Sequence, residues 1–250
     1  MNSDLAGMIG IGTVIVAGVL LTIFSLLHRR SPLTFRNIPA YVRVRRAASL
    51  VVEAGTRLHI SLGSANLLSS TSASALAGLA VLRRLAENTS LSDYPPISTT
   101  GSATLNLLAQ DTLRSAHDAL TAEQTFNIHN GRLTGLTPLS YAGGVMTAIR
   151  DENISTSLLI GNFGPEVALL TEAADRQDAP IIAASDSLPA QAVLFATTQE
   201  PLLGEEAFAA GAYTQAGASH AASLLVQDIL RWIVILALLG GATLKVAGLL

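Results

Sequence analysis

The chain has 250 residues, of which 50% are hydrophobic and 13% charged, and its formal net charge is −3. It contains no cysteine, which excludes disulfides, thiolate metal sites and thiol nucleophiles. The charge is unevenly divided, because residues 51–228 hold 17 acidic and 7 basic residues and carry a net charge of −10. An acidic body repels phosphate backbones, so we do not expect nucleic-acid binding.

The first 28 residues are predicted to form an N-terminal transmembrane helix. Residues 5–27 include no charged side chain over 23 positions. At about 1.5 Å per residue, such a helix reaches about 34 Å, enough to cross a hydrocarbon core of about 30 Å. A secretory signal peptide is the alternative, and it fits less well because the basic residues follow the apolar run and none precedes it.

Residues 29–50 form a basic connector with six arginines. Positive charge stays on the cytoplasmic side, so the N-terminus is predicted to face outward and the body to face the cytoplasm. The arginines either set only this topology or also contact anionic lipids, since Ile38, Tyr41 and Val42 interleave with them as on an interfacial helix. The candidate lipid headgroup contacts are Arg29, Arg30, Arg36 and Arg43.

Residues 51–228 alternate between strand and helix patterns, which predicts one α/β domain. Short apolar runs that end in small or polar turns indicate four strands, at residues 57–62, 97–100, 154–160 and 181–184. Apolar residues at helical spacing indicate helices at residues 69–87, 102–120, 138–149, 165–176 and 203–212. Asp186 or Ser187 can cap a further helix, with Pro189 in its first turn and residues 191–197 continuing it. Strands separated by helices imply a small doubly wound, mostly parallel, Rossmann-like sheet covered on both faces.

A β-hairpin is predicted at residues 126–134. Its turn would be Asn130-Gly131, a dipeptide that tolerates the two positive φ values of a type I′ turn.

The predicted strand ends carry small or polar residues, which predicts a small-molecule site. In an open parallel sheet, ligands bind beyond the carboxyl ends of the strands, where the strand order reverses. The backbone N–H groups near residues 161–166 open a helix and favour an anion, although Glu166 would compete for them. The same turns also need glycines and caps for plain geometry. The candidate ligand-binding residues are Ser64, Thr99, Thr100, Gly101, Asn162, Gly164, Glu166 and Asp186.

No catalytic or metal-binding motif is found in the sequence. A P-loop, a G-x-G-x-x-G turn after a predicted strand and a G-x-S-x-G elbow are all absent, and the five histidines form no H-x-x-x-H or H-E-x-x-H pair. His59 in a predicted buried strand is interpreted as a hydrogen-bonded core or crevice residue. We therefore predict no catalytic residue, no metal site and no cofactor.

Residues 229–250 are predicted to form a C-terminal transmembrane helix. From Trp232 to the end of the chain, Lys245 is the one charged residue, and it lies where its side chain can reach the headgroups. The alternatives are a buried C-terminal helix or a tail in the membrane interface. Both termini would lie outside the bacterial inner membrane.

Small residues recur in both apolar segments, and such residues let transmembrane helices approach closely. The surface they form would serve contact between the two helices or between subunits. The residues are Gly7, Gly10, Gly12, Ala17 and Gly18 in the first segment, and Gly240, Gly241, Ala242 and Gly248 in the second.

The chain resembles a bacterial family of uncharacterised membrane proteins, known only as a domain of unknown function, over nearly its whole length. The resemblance implies two spans around an α/β body, and it implies no activity and no functional residues. It rests on the segments Glu53-Ala54-Gly55-Thr56-Arg57-Leu58-His59, Ala75-Leu76-Ala77-Gly78-Leu79, Gln110-Asp111-Thr112-Leu113-Arg114, Gly161-Asn162-Phe163-Gly164-Pro165-Glu166 and Gln199-Glu200-Pro201-Leu202.

Two functional hypotheses follow. The first is a non-enzymatic, self-assembling scaffold or structural subunit, anchored in membrane lipids and forming homo-oligomers through its spans and its body. The alternative is a membrane-tethered binding or sensor domain, or an enzyme, for a small anionic ligand at the carboxyl ends of the strands.

Overall fold

The computed structural model describes residues 3–27, 35–89, 92, 94–120, 126–199 and 201–248. They fall into two compact units, one formed by Arg36–Ala216 and the other by the segments on either side of it. The helices are α1 Ser3–Leu27, α2 Pro39–Ala54, α3 Ser72–Thr89, α4 Ala103–Leu120, α5 Pro138–Asp151, α6 Val167–Asp175, α7 Leu188–Thr197, α8 Glu205–Phe208, α9 Ala210–Tyr213 and α10 Ala218–Val246. The strands are β1 Arg57–Gly63, β2 Ile97–Thr100, β3 Gly131–Leu133, β4 Ile154–Asn162, β5 Ile181–Ser185 and β6 Leu202–Leu203.

The flanking unit consists of α1 and α10, which pack against each other. Both are long and apolar enough to cross a membrane. Within their apolar windows, 0% of the α1 residues and 11% of the α10 residues are buried, so neither is the core helix of a globular body. α10 begins at Ala218, earlier than the predicted start at residue 229, because no glycine or proline interrupts the helix before Gly240.

The Arg36–Ala216 unit contains a six-stranded sheet with the order β3-β2-β1-β4-β5-β6. Every strand pair is parallel, which confirms the predicted α/β class with a parallel sheet. The strand order reverses between β1 and β4, as in doubly wound dinucleotide-binding sheets. β6 was not predicted, and β3 was predicted only as one arm of a hairpin, because strands of two and three residues are too short to show an alternating pattern.

The predicted hairpin at residues 126–134 is wrong. Residues Ile128–Asn130 form a 3₁₀ turn, and β3 then pairs parallel to β2. A type I′ turn needs positive φ at both central residues, whereas Gly131 has φ −105°. The amide of Gln110 on α4 donates to the Gly131 carbonyl at 2.8 Å, which holds this segment at the edge of the sheet.

Two apolar cores cover the two faces of the sheet. On one face, α2, α3, α4, α8 and α9 pack against side chains such as Leu58, Ile60 and Leu62 of β1. On the other face, α5, α6 and α7 pack against side chains such as Leu159 and Ala183. Because successive side chains of a strand point to opposite faces, His59 and Ser61 of β1 face the second core.

Helix α2 belongs to the α/β unit, which begins at Arg36 rather than at the predicted residue 51. Its residues Tyr41, Val44 and Val51 lie in the first core. Arginines dominate this segment in sequence, yet helical spacing places them on the outer face and the apolar residues inside. Ile38 and Tyr41, expected beside the arginines at a lipid surface, are 8% and 1% exposed.

The two ends of the α/β unit lie against each other. The Tyr213 hydroxyl donates to the Arg36 carbonyl at 2.8 Å, and the Tyr213 ring stacks on Tyr41 with centroids 4.8 Å apart. Arg36 also pairs with Glu206 at 2.5 Å, and the Tyr41 hydroxyl donates to the Glu206 carbonyl. The points where the chain enters and leaves this unit are therefore neighbours.

Candidate functional site

The loops at the carboxyl ends of the central strands are joined by their own backbone hydrogen bonds. The Ser64 amide donates to the Asn162 carbonyl at 2.9 Å, and the Gly101 amide donates to the Gly63 carbonyl at 2.8 Å. Gly63 has φ +70°, and a Cβ there would lie 2.1 Å from the Asn162 carbonyl oxygen. Here the missing side chain allows two strands to approach, rather than allowing a ligand to reach the backbone.

Four of the predicted site residues lie at this edge: Asn162 is the last residue of β4, and Ser64, Gly101 and Asp186 lie in the loops that follow the strands. The Asn162 side-chain amide donates to the Asp186 carboxylate at 2.8 Å. This places an anchored carboxylate beside the point where the strand order reverses.

Thr99 and Thr100, also predicted to bind a ligand, are fully buried. The Thr99 hydroxyl lies 2.9 Å from His59 Nε2, and the Thr100 hydroxyl lies 3.3 Å from Asn106 Oδ1. Both hydroxyls therefore have partners within the protein.

Gly164 and Glu166 contact each other before α6 begins. The Gly164 amide donates to Glu166 Oε1 at 2.8 Å, and Glu166 is 7% exposed. The N–H that was predicted to favour an anion is thus occupied by a carboxylate of the protein, and a second negative charge nearby would be repelled.

A buried polar network lies beneath these loops. His59 Nδ1 is 2.9 Å from Ser157 Oγ, and its other ring nitrogen contacts Thr99. Burial, assisted by the positive charge of Arg132, lowers the pKa of His59 to about 3, so the imidazole is neutral. The interpretation of His59 as a hydrogen-bonded core residue is confirmed.

Tyr141 of α5 completes this network and was not singled out in the sequence. Its hydroxyl contacts Ser61 Oγ and accepts a hydrogen bond from the Gly63 amide at 3.2 Å. Burial raises the pKa of Tyr141 to about 12, which keeps the phenol protonated. In sequence, Tyr141 lies on a helical stripe with Val145 and Ala148 that indicates only a core position.

Of the predicted headgroup contacts, Arg29 and Arg30 lie outside the described residues. Arg36 pairs with Glu206, and Arg43 donates to Gln199 Oε1 at 2.9 Å. Within the described part of the chain, no group of three or more histidines and acids could hold a metal ion.

A cleft of about 550 Å³ lies at the opposite, amino edge of the sheet. Arg43, Arg46 and Leu50 of α2 form one wall, and Asp175 at the end of α6 and Asp178 in the α6–β5 connection lie among its other lining residues. The sequence analysis did not predict this cleft, because its walls come from segments that are more than 100 residues apart.

No curated protein and no solved structure matches this chain. A protein family matches residues 5–249 and is described as a domain of unknown function. Because the match extends over nearly the whole length, the chain belongs to the family of this domain, DUF6754.

Proposed function

We propose that this protein is a membrane-anchored structural subunit whose α/β body associates with other copies of the same chain. The observation that carries the proposal is the outer face of α7. This helix has no charged residue, and its outward side chains include Leu188 and Phe195, which are 78% and 72% exposed. Ala190 and Leu194 of the same helix pack inward against the sheet.

The outer face of α7 forms one apolar stripe of Leu188, Ala192, Phe195 and Ala196, all exposed. Helix α6 packs against α7, and its Leu169 is also exposed, at 39%. Large exposed apolar side chains that cluster on one face are typical of interaction surfaces.

A second copy of the chain suits this stripe better than a lipid surface. Helices that lie on membranes carry basic residues beside their apolar face, and α7 carries none. The Arg36–Ala216 unit contains 16 acidic and 11 basic residues, a net charge of −5, so two copies repel each other except through an uncharged surface. A two-fold contact would place the stripe against itself.

The glycines of the two apolar helices support the same proposal. At Gly7, Gly10, Gly12 and Gly18 of α1, a Cβ would meet nothing within 4 Å, and the same holds at Gly240 and Gly241 of α10. Their close-packing surface is therefore not used between α1 and α10, and it is available to another subunit.

In this proposal both apolar helices cross the inner membrane, the α/β body lies in the cytoplasm and the termini lie outside. The adjacent ends of the body, held by Tyr213 and Arg36, suit two spans that enter the membrane side by side. Anchoring in one membrane also raises the effective concentration of the subunits, so that a small stripe is sufficient for association.

Mass photometry of the full chain in mild detergent tests the assembly. We expect the wild-type protein to form oligomers, and we expect L188E combined with F195E to shift the equilibrium to monomers by at least about tenfold, because two charges would be buried in the contact. The matched control is L107E, since Leu107 of α4 is 65% exposed and lies away from α7. A monomeric wild-type protein at micromolar concentration would contradict the proposal.

The absence of cysteine allows the topology to be tested with single introduced thiols. An impermeant maleimide should label an Asn2→Cys variant in intact spheroplasts. It should label Ser70→Cys, in the exposed loop after β1, only after lysis. The reverse pattern would place the body outside.

The alternative, a site for a small anionic ligand at the carboxyl ends of the strands, stays a prediction. The reversal of strand order between β1 and β4 supports it. The bond from the Gly164 amide to Glu166 counts against an anion. A thermal-shift screen of anionic metabolites on the full chain in detergent tests it, and no shift with any of them would leave it without support.

A further inference from the structure

The cleft at the amino edge of the sheet has opposite charges on separate walls. Arg46 projects from α2, whereas Asp175 ends α6 and Asp178 belongs to the connection between α6 and β5. Among the residues that the structure describes, none of these three side chains forms an ion pair. The charges of the two walls therefore do not pair with each other in this structure.

A threonine hydroxyl also lines the cleft. Thr156 of β4 lines the cleft, and within the described ranges its hydroxyl makes no hydrogen bond. The Thr156 hydroxyl is not among the buried, unpartnered polar atoms of the described residues, so it is accessible from the cleft. The neighbouring Ser157 bonds to His59, which leaves the Thr156 hydroxyl available to a ligand or to water.

The side chains that line the cleft restrict the chemical class of ligand that it can bind. An anion alone would be repelled by the aspartates, and a cation alone by the arginines, whereas a zwitterion satisfies both walls. The lining residues include no aromatic side chain, and quaternary ammonium groups are usually bound by aromatic cages. A primary amine, which donates hydrogen bonds to carboxylates, therefore fits better than a trimethylated one.

We propose that this cleft binds a zwitterionic group that combines an oxyanion with a primary amine, as phosphoethanolamine does. The Arg46 guanidinium holds the phosphate, Asp175 and Asp178 hold the ammonium, and Thr156 donates to a phosphate oxygen. Leu50 and Ile182 line the apolar part of the cleft and cover the ethylene linker. The cleft volume of about 550 Å³ lies within the usual range for small-molecule sites.

The same chemistry has two sources, a free phosphomonoester and the headgroup of an aminophospholipid. Isothermal titration of the full chain in detergent with O-phosphoethanolamine tests the free form. Binding of the full chain in nanodiscs that contain phosphatidylethanolamine or only phosphatidylcholine, read by native mass spectrometry, tests the lipid. Saturable binding in either arm, with weaker binding of phosphocholine and of inorganic phosphate, would support the proposal.

Two substitutions assign the binding to the cleft. R46Q should weaken the affinity by about tenfold, because it removes the charge-assisted bonds to the phosphate. D178N should weaken it by about threefold, and the backbone should persist because asparagine tolerates the φ of +51° found there. The matched controls are R45Q, whose side chain lines a different surface of α2, and D111N on α4.

Several outcomes would overturn the proposal. They are no saturable binding in either arm, equal affinity for phosphocholine or inorganic phosphate, and affinities of R46Q and D178N that match those of the controls. Thermal melting of each variant verifies folding, and the exposed positions of Arg46 and Asp178 predict melting temperatures close to that of the wild-type protein. The oligomeric state is measured in the same samples, so failure of this site is distinguishable from failure of self-association.

Discussion

The two edges of the sheet use their polar groups differently. At the carboxyl edge, the amides of Ser64, Gly101 and Gly164 all have partners within the protein. At the amino edge, Arg46 and Thr156 line a cleft and have no such partner among the described residues. The strand order alone would assign a ligand to the carboxyl edge, whereas the hydrogen bonds favour the amino edge.

This difference shows that a strand order is not sufficient to locate a site. In dinucleotide-binding sheets the glycine after the first strand allows the backbone to approach a pyrophosphate. Here Gly63 and Gly161 allow β1 and β4 to approach each other, since a Cβ at either would lie 2.1 Å from a carbonyl oxygen of the other strand. If this contrast is correct, substitutions at the carboxyl edge should affect stability and those in the cleft should not.

The largest effect is expected for G161A. A Cβ would overlap the Leu62 carbonyl oxygen and force β1 and β4 apart, which should lower the free energy of unfolding by about 4 kcal/mol. Chemical denaturation of the full chain in detergent measures it. G143A is the control, because a Cβ there meets nothing within 4 Å and alanine should stabilise the helix by up to about 1 kcal/mol. Equal stabilities of the two variants would contradict the close approach of the strands.

The next effect is a dependence of stability on pH that comes from His59. Its pKa is about 3 in the folded protein and about 6.5 in the unfolded chain, so between these values the unfolded state binds one more proton. Stability should therefore fall as the pH drops below about 6.5, by about 1.4 kcal/mol per unit, or about 2 kcal/mol at pH 5. The stability of the H59Q variant should lack this dependence on pH. If stability fell equally with pH in the wild-type protein and in H59Q, the assignment to His59 would be contradicted.

A smaller loss is expected for Y141F. The substitution removes the hydroxyl that contacts Ser61 and the Gly63 amide, and it leaves these buried groups unsatisfied at a cost of about 1.5 kcal/mol. The control is Y94F, because Tyr94 is 45% exposed and its ring contact with Arg57 survives. Equal melting temperatures of Y141F and Y94F would mean that the carboxyl-edge network does not contribute to stability.

The smallest effects are expected for two neighbouring residues of β4. They compare the carboxyl-edge network with the amino-edge cleft most directly. S157A should cost about 1 kcal/mol, because it removes the partner of His59 Nδ1. T156V should change stability by less than about 0.5 kcal/mol, because the Thr156 hydroxyl makes no hydrogen bond to any described residue that the substitution would remove. Differential scanning calorimetry of both variants checks this order, and a larger loss for T156V would mean that its hydroxyl bonds within the protein.

Local patterns in the sequence were sufficient to predict most elements of the α/β unit. The strand at residues 97–100 coincides with β2, and the runs at 57–62 and 154–160 lie within β1 and β4. Periodicity is a property of a short window, so it predicts a buried strand or an amphipathic helix without knowledge of distant partners. It did not reveal β6 or the parallel pairing of β3, because both depend on neighbouring strands rather than on their own residues.

The candidate sites could be predicted only in part. Glycines and polar residues at strand ends indicated where the strand ends and loops would meet, and Ser64, Asn162 and Asp186 do lie at the carboxyl ends of the strands or in the loops that follow them. Whether their hydrogen-bonding groups were available could not be predicted, since the partners are remote in sequence. His59, for example, bonds to residues 40 and 98 positions away.

The sequence by itself determined the α/β class, the parallel sheet and two helices apolar and long enough to cross a membrane, because each follows from hydrophobic spacing within a short segment. Tertiary structure decided that α2 packs against the sheet and that Arg46 shares a cleft with Asp178. It also decided that the backbone groups at the carboxyl edge form hydrogen bonds with one another. These features depend on which groups from distant segments come within hydrogen-bonding or electrostatic range, and only the folded chain brings them together.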